Sequence, residues 1–171
     1  MTTPAVRHGY VDTPLLGQLH DAEAGSGPAI VLLHQTPRSL DEYRELTPLL
    51  GATHRAIAMD MYGFGLSAKP EGRQSVEQYA AGVLALADAL GADEFAVMGH
   101  HTGSSVAIEV AAAAPERVSA VVLSSPSYID AAARRARAGG PGVDDAPSAA
   151  DGSHLTALWA RRAPYHPPTP T

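Results

Sequence analysis

Between Phe95 and Ala114 the sequence runs FAVMGHHTGSSVAIEVAAAA, with His100 and His101 standing between Gly99 and Gly103. An apolar run of strand length, a glycine-flanked turn and a helix-compatible stretch follow one another, a layout that presents one side chain at the tip of a sharp turn. An imidazole held there can attack a carbonyl carbon, take a proton as a base, or donate a hydrogen bond. Its acyl adduct is activated and hydrolyses readily. Thr102 is one position too far along so tight a turn to replace it, and Ser104 and Ser105 lie on the departing helix, where Ser104 is expected to cap or pack. Two further positions carry chemistry: His34 in LLHQTP, and Asp60 at the head of DMYGFGLSAKP, which spells Asp-x-x-Gly-x-Gly-x-Ser through Gly63, Gly65 and Ser67. His34, His100, His101 and Asp60 are all metal-ligand types, but adjacent histidines point in different directions and no spaced ligand motif occurs, so no metal is expected. The glycines after Asp60 lack the long following helix and the spacing of a dinucleotide loop, and no cofactor is expected.

The elements that must position these residues alternate. Residues 6–20 suit one or two irregular strands and 24–28 a turn. Residues 29–33, AIVLL, form a continuous apolar run of the kind covered on both faces of a sheet, and His34 follows it. Ser39 or Asp41 caps an expected helix with Leu40, Tyr43, Leu46 and Leu50 as its stripe. A short apolar strand over 56–59 leads into Asp60. Ser75 and Gln78 have capping-box spacing ahead of a helix carrying Tyr79, Val83, Leu86 and Leu90. The strand and helix around His101 and a last strand over 118–123 complete the regular part. This alternation predicts an α/β domain with a mainly parallel sheet and helices on both faces. His34, Asp60 and His101 then all fall at strand C-termini, where such sheets place their sites.

At 171 residues the chain has material for one substantial core. Twelve Lys and Arg against 18 Asp and Glu, a formal charge of −6, argue against a nucleic-acid surface. The absence of cysteine excludes disulfides and a thiolate nucleophile. The first thirty residues lack a basic segment followed by an apolar one, and no apolar run approaches membrane-spanning length. A cytoplasmic protein facing a small molecule, with neither nucleic acid nor membrane as partner, is the expectation.

LLHQTP at 32–37, DMYGFGLSAKP at 60–70, GHHTG at 99–103 and PERVSAVVLSSP at 115–126 together resemble the N-terminal part of an α/β-hydrolase-fold protein. The resemblance is closest to the branch that includes epoxide hydrolases, dehalogenases, esterases and carbon–carbon bond hydrolases. It implies that His101 occupies the nucleophile-elbow position, where the family carries serine, cysteine or aspartate. It also implies that Thr36 and Thr102 contribute backbone N–H groups to an oxyanion hole, and that His34, Asp60 and His100 support the site. Gln35 stands where the family has glycine. The implied parent activity is hydrolysis of a small ester, epoxide or related substrate.

The resemblance stops after the sixth strand of a family sheet that has eight, ahead of the acid and the late histidine that complete the catalytic set. Asp130, His154 and His166 match those groups by residue type alone. The expected organisation is a partial, truncated hydrolase core over 1–130, then the start of a helical cap and a proline-rich tail over 131–171. An unpaired apolar edge at the last strand predicts self-association, instability or completion by another chain, and the incomplete catalytic set predicts impaired or absent activity in this chain. The alternative expectation is a non-catalytic ligand-binding or vestigial domain.

Overall fold

The computed structural model describes residues 4–14, 17–72, 74–126 and 146–162, together with Ala132 and Arg135. The chain divides into two compact units, 1–127 and 128–171. In the first unit six strands form one sheet: β1 (Arg7–Thr13), β2 (Gly17–Ala24), β3 (Ala29–Leu33), β4 (Arg55–Met59), β5 (Phe95–His100) and β6 (Val118–Ser124). The spatial order is β1-β2-β4-β3-β5-β6. β4, β3, β5 and β6 run parallel, while β2 is antiparallel to both β1 and β4. The mainly parallel α/β architecture holds, and the first two strands are a regular, fully paired hairpin rather than irregular segments.

Period-two alternation explains why the central strands are apolar throughout. Val31, Leu33, Ile57, Met59, Phe95 and Val97 pack on one face beneath the helices α2 (Val76–Ala89) and α3 (Thr102–Ala113), which contribute Val83, Leu86, Val106 and Val110. Ile30, Leu32, Ala56 and Ala58 point the other way, against Leu40 and Tyr43 of a 3-10 turn (Leu40–Tyr43) and Leu46 and Leu50 of the short helix α1 (Leu46–Leu50). The capping box at the start of α2 is complete: Gln78 N–H donates to Ser75 Oγ, and Ser75 N–H to Gln78 Oε1.

One long helix over 40–50 does not form. Ser39 caps the segment by accepting from Asp41 N–H, but Pro48 has no N–H for the carbonyl of Arg44, so the chain makes a 3-10 turn and restarts.

At the far edge β6 pairs with β5 alone among the described strands. Val121, Val122 and Leu123 remain 41%, 44% and 40% exposed, values out of keeping with the closed core of β3 and β4. In the second unit the described residues include the helix α4 (Ser153–Arg162). Asp130 and His166 lie outside the described residues, as does the proline-rich tail.

Candidate active site

The registers Leu33↔Met59 and Leu33↔Gly99 set the C-terminal ends of β4, β3 and β5 side by side. His34, Asp60 and the His100–His101 pair therefore emerge along one rim of the sheet, each where its strand stops.

Asp60 is 1% exposed and anchors two loops at once. Its Oδ1 accepts from Leu40 N–H (2.7 Å), and its Oδ2 accepts from Leu66 N–H (2.8 Å) and from His20 Nδ1 (2.8 Å). Ser67 Oγ donates to the Asp60 carbonyl (2.6 Å) and accepts from His20 N–H (2.9 Å). Burial alone would raise this carboxyl, but the Leu40 and Leu66 amides and His20 outweigh it and hold it below the ordinary carboxylate range. Gly65, at φ +49, lets the loop close over the group, since a Cβ there would lie 1.9 Å from Asp60 Oδ2.

His34 is fully buried, and both ring nitrogens are engaged. Met61 N–H donates to its Nε2 (3.1 Å), which fixes the proton on Nδ1, where it is donated to the Gln35 carbonyl (2.8 Å). Protonation would turn Nε2 against the Met61 amide. Burial also lowers the affinity of this imidazole for a second proton, so His34 is a neutral brace between the loops after β3 and β4. Phe64 meets its ring edge-on at 5.5 Å.

The elbow is built differently. His101 sits at φ 50, ψ −108, a conformation that L side chains rarely adopt. Two glycines make it possible by close approach: a Cβ at Gly99 would lie 2.1 Å from Gly103 O, and one at Gly103 would lie 2.0 Å from Leu33 O. His101 N–H donates to Ser124 O (2.9 Å), tying the turn to the end of β6. Ser104, wholly buried, donates to Gly99 O (2.7 Å) and Ser124 O (3.1 Å), and His100 Nδ1 lies 2.9 Å from Ser124 Oγ. The His101 ring is exposed, with Nδ1 3.4 Å from Thr102 Oγ1. Thr36 Oγ1 and Thr102 Oγ1 are 3.0 Å apart, so the loop after β3 and the first residue of α3 meet beside the imidazole. α3 begins at Thr102 with His101 as its N-cap, and Ser104 N–H closes the first turn on the His101 carbonyl (3.1 Å).

Two residues outside the sequence expectations complete the rim. His20 of β2 joins Asp60 to the hairpin, and its Nε2 lies 3.1 Å from His8 Nδ1. Tyr43 donates its hydroxyl to Leu33 O (2.9 Å), holding the end of β3 from the other face. The sequence signal for His20 is a polar residue alternating with Ala22 and Ala24 on a face that buries. Tyr62 is 1% exposed and packs on Gly82, whose Cβ would meet the ring at 2.7 Å, so it belongs to the core. His154 is in the second unit, where its Nδ1 accepts from Ala149 N–H (3.1 Å).

The chain as a whole is similar to known proteins. The family described as alpha/beta hydrolase fold matches residues 28–160. Bifunctional epoxide hydrolase 2 of Sus scrofa is 37% identical over 123 residues, covering 68% of this chain and 22% of that protein. Haloalkane dehalogenase 2 of Mycobacterium tuberculosis is 34% identical over 108 residues, covering 63% of this chain and 38% of that protein. Among solved structures, an epoxide hydrolase from an endophytic Streptomyces superposes with a TM-score of 0.72 at 32% identity, over 88% of this chain and 49% of that one. The chain thus spans well under half the length of these curated relatives. With its strand order, its glycine-framed elbow and a family match over most of its length, the chain belongs to the α/β-hydrolase-fold family.

Proposed function

We propose that this chain carries the elbow half of an α/β-hydrolase site whose complete protein hydrolyses a small ester, epoxide or related substrate, and that the 171 residues by themselves are impaired or inactive. The observation behind this reading is His101 itself, held in a costly backbone conformation between two glycines that no larger residue can replace. In the productive form, an imidazole nitrogen of His101 adds its lone pair to the carbonyl carbon. The oxygen that becomes negative is received by the backbone N–H groups of Thr36 and Thr102, whose side chains already meet. As the carbonyl re-forms and the C–O bond breaks, the leaving alkoxide takes the proton that the acylated ring sheds from its other nitrogen, and water then hydrolyses the acyl-imidazole, releasing the acid and returning a proton to the ring. His34, Asp60 and His100 support the two loops and do not touch the reacting atoms. The scheme needs neither metal nor cofactor, and the protein is read as cytoplasmic.

A second reading is favoured by the residue type at 101. Histidine replaces the serine, cysteine or aspartate of the family, and a fold without its triad retains only residual catalysis. On that reading the site binds a small molecule without turning it over. Either way, the exposed apolar residues of β6 support pairing with a second strand, including that of another copy.

Turnover of p-nitrophenyl acetate and styrene oxide by the chain and by His101→Ala separates the two. A rate above the uncatalysed background that drops about a hundredfold in His101→Ala supports chemistry at the imidazole. Equal background rates in both establish the non-catalytic reading for this chain.

A further inference from the structure

The β1–β2 hairpin places Arg7 opposite Glu23, Gly9 opposite Asp21 and Val11 opposite Leu19, on one face. Asp21 is 3% exposed, and its Oδ1 is buried with no hydrogen-bond partner among the described residues. Gly9 leaves the room the carboxyl occupies, since a Cβ there would stand 3.0 Å from Oδ1. The guanidiniums of Arg7 and Arg55 are both committed to Glu23. Glu23 Oε1 accepts from Arg7 Nη2 (3.0 Å), and Glu23 Oε2 accepts from Arg55 Nε (2.9 Å) and Nη2 (2.6 Å). Arg55 Nη1 also donates to Leu90 O (2.8 Å), which locks it in place.

One carboxylate of this face therefore holds two cations and its neighbour holds none. Burial, with Glu23 adding to it, pushes the Asp21 carboxyl above its usual range, while His20, His8 and Arg55 pull the other way. A buried carboxylate without a partner is costly unless a proton or a cation neutralises it. The carboxyl lies at the floor of an open depression of about 260 Å³ that Arg7 and His8 line together with Gly9, Tyr10, Val11, Glu23 and Leu90, with the Arg7 charge already matched by Glu23.

We propose that this depression binds a small organic cation, a primary ammonium or guanidinium, whose N–H donors meet the Asp21 carboxylate while its stem lies along Val11 and Leu90. Among the described residues no set of three metal-ligating side chains gathers, which favours a directional hydrogen-bond donor over a metal ion. The site lies on the outer hairpin and does not depend on the hydrolytic reading of the elbow.

Calorimetric titration of the full chain with n-propylammonium chloride tests it, with tetramethylammonium chloride as a cation that lacks N–H donors. Saturable binding of propylammonium at about 1–10 mM is expected, with none for tetramethylammonium. Asp21→Asn keeps the side-chain shape and should weaken binding about tenfold or more, with an unchanged circular dichroism spectrum reporting an intact fold. Gly9→Ala, which leaves the charge alone, should weaken binding by crowding the carboxyl. An acetylated lysine tripeptide identifies the source: tighter binding than propylammonium assigns the site to a lysine of a protein partner, and equal or weaker binding assigns it to a free amine. Undiminished affinity in Asp21→Asn, an equal response to tetramethylammonium, or no saturation below about 100 mM overturns the proposal.

Discussion

The rim around Asp60 and the elbow around His101 are held in shape by opposite means. At the rim, polar groups are buried and matched: Asp60 receives two amides and an imidazole, and both nitrogens of His34 are used. At the elbow the side chain is exposed, and the shape comes from a backbone forced into an unfavourable region by the fit of Gly99 and Gly103. The rim stores stability and the elbow spends some of it. Such a division separates the groups that fix the loops from the group the turn presents, because the hydrogen bonds of Asp60 and His34 go to Leu40, Leu66, His20, Met61 and Gln35.

Three measurements press on that contrast. The largest effect belongs to Asp60→Ala, which strands two amides and the His20 ring; a loss of about 3–5 kcal/mol in urea unfolding is expected, with Asp60→Asn recovering part of it. A loss below about 1 kcal/mol would mean that the rim is no better anchored than the elbow.

Next comes acidity. The folded protein holds His34 below the ordinary histidine value of 6.5, so the unfolded chain binds the proton first. The stability from its neutral form is complete above that value and is lost as pH falls below it. Asp60 is held below the ordinary 3.8, so its contribution persists above that value and is lost as pH falls further. Asp21 runs the other way: its raised carboxyl takes up a proton earlier in the folded state and adds stability as pH falls toward 3.8. Unfolding free energy measured against pH should therefore slope below about 6.5 in the parent and lose part of that slope in His34→Gln. Identical slopes in the two would remove His34 from the account.

The smallest effect is at the elbow. His101→Gly should raise stability by about 1 kcal/mol relative to His101→Ala, since glycine alone adopts φ 50 without strain. A gain of that sign at an exposed position sharpens the contrast with Asp60. Equal stability of the two variants would place the elbow's cost elsewhere.

Much of the frame is legible in the residues because it follows from local rules. Val31 and Leu33 face one way and Ile30 and Leu32 the other, so an unbroken apolar run marks a strand covered on both sides. Ser75 and Gln78 mark a helix start through reciprocal hydrogen bonds that need only their spacing. The apolar stripe from Leu40 to Leu50 does not reveal the break between the 3-10 turn and α1, which depends on the N–H that Pro48 lacks. The His20–Asp60 bond was not legible, because 40 residues separate its partners and only the pairing of β2 with β4 brings them together. Asp21 was hidden for a related reason. In a linear reading it is one charge in an exposed hairpin, and its burial depends on Gly9 lying opposite and on Glu23 taking both nearby arginines.

The two elbow glycines also say something about mutational access. Substitution at Gly99 or Gly103 drives a carbon into a backbone carbonyl, whereas position 101 has solvent in front of it. Every histidine codon becomes an aspartate codon when its first base changes from C to G. The socket is thus rigid at its walls and free at its centre, and a change of reactive group needs no intermediate that disturbs the fold.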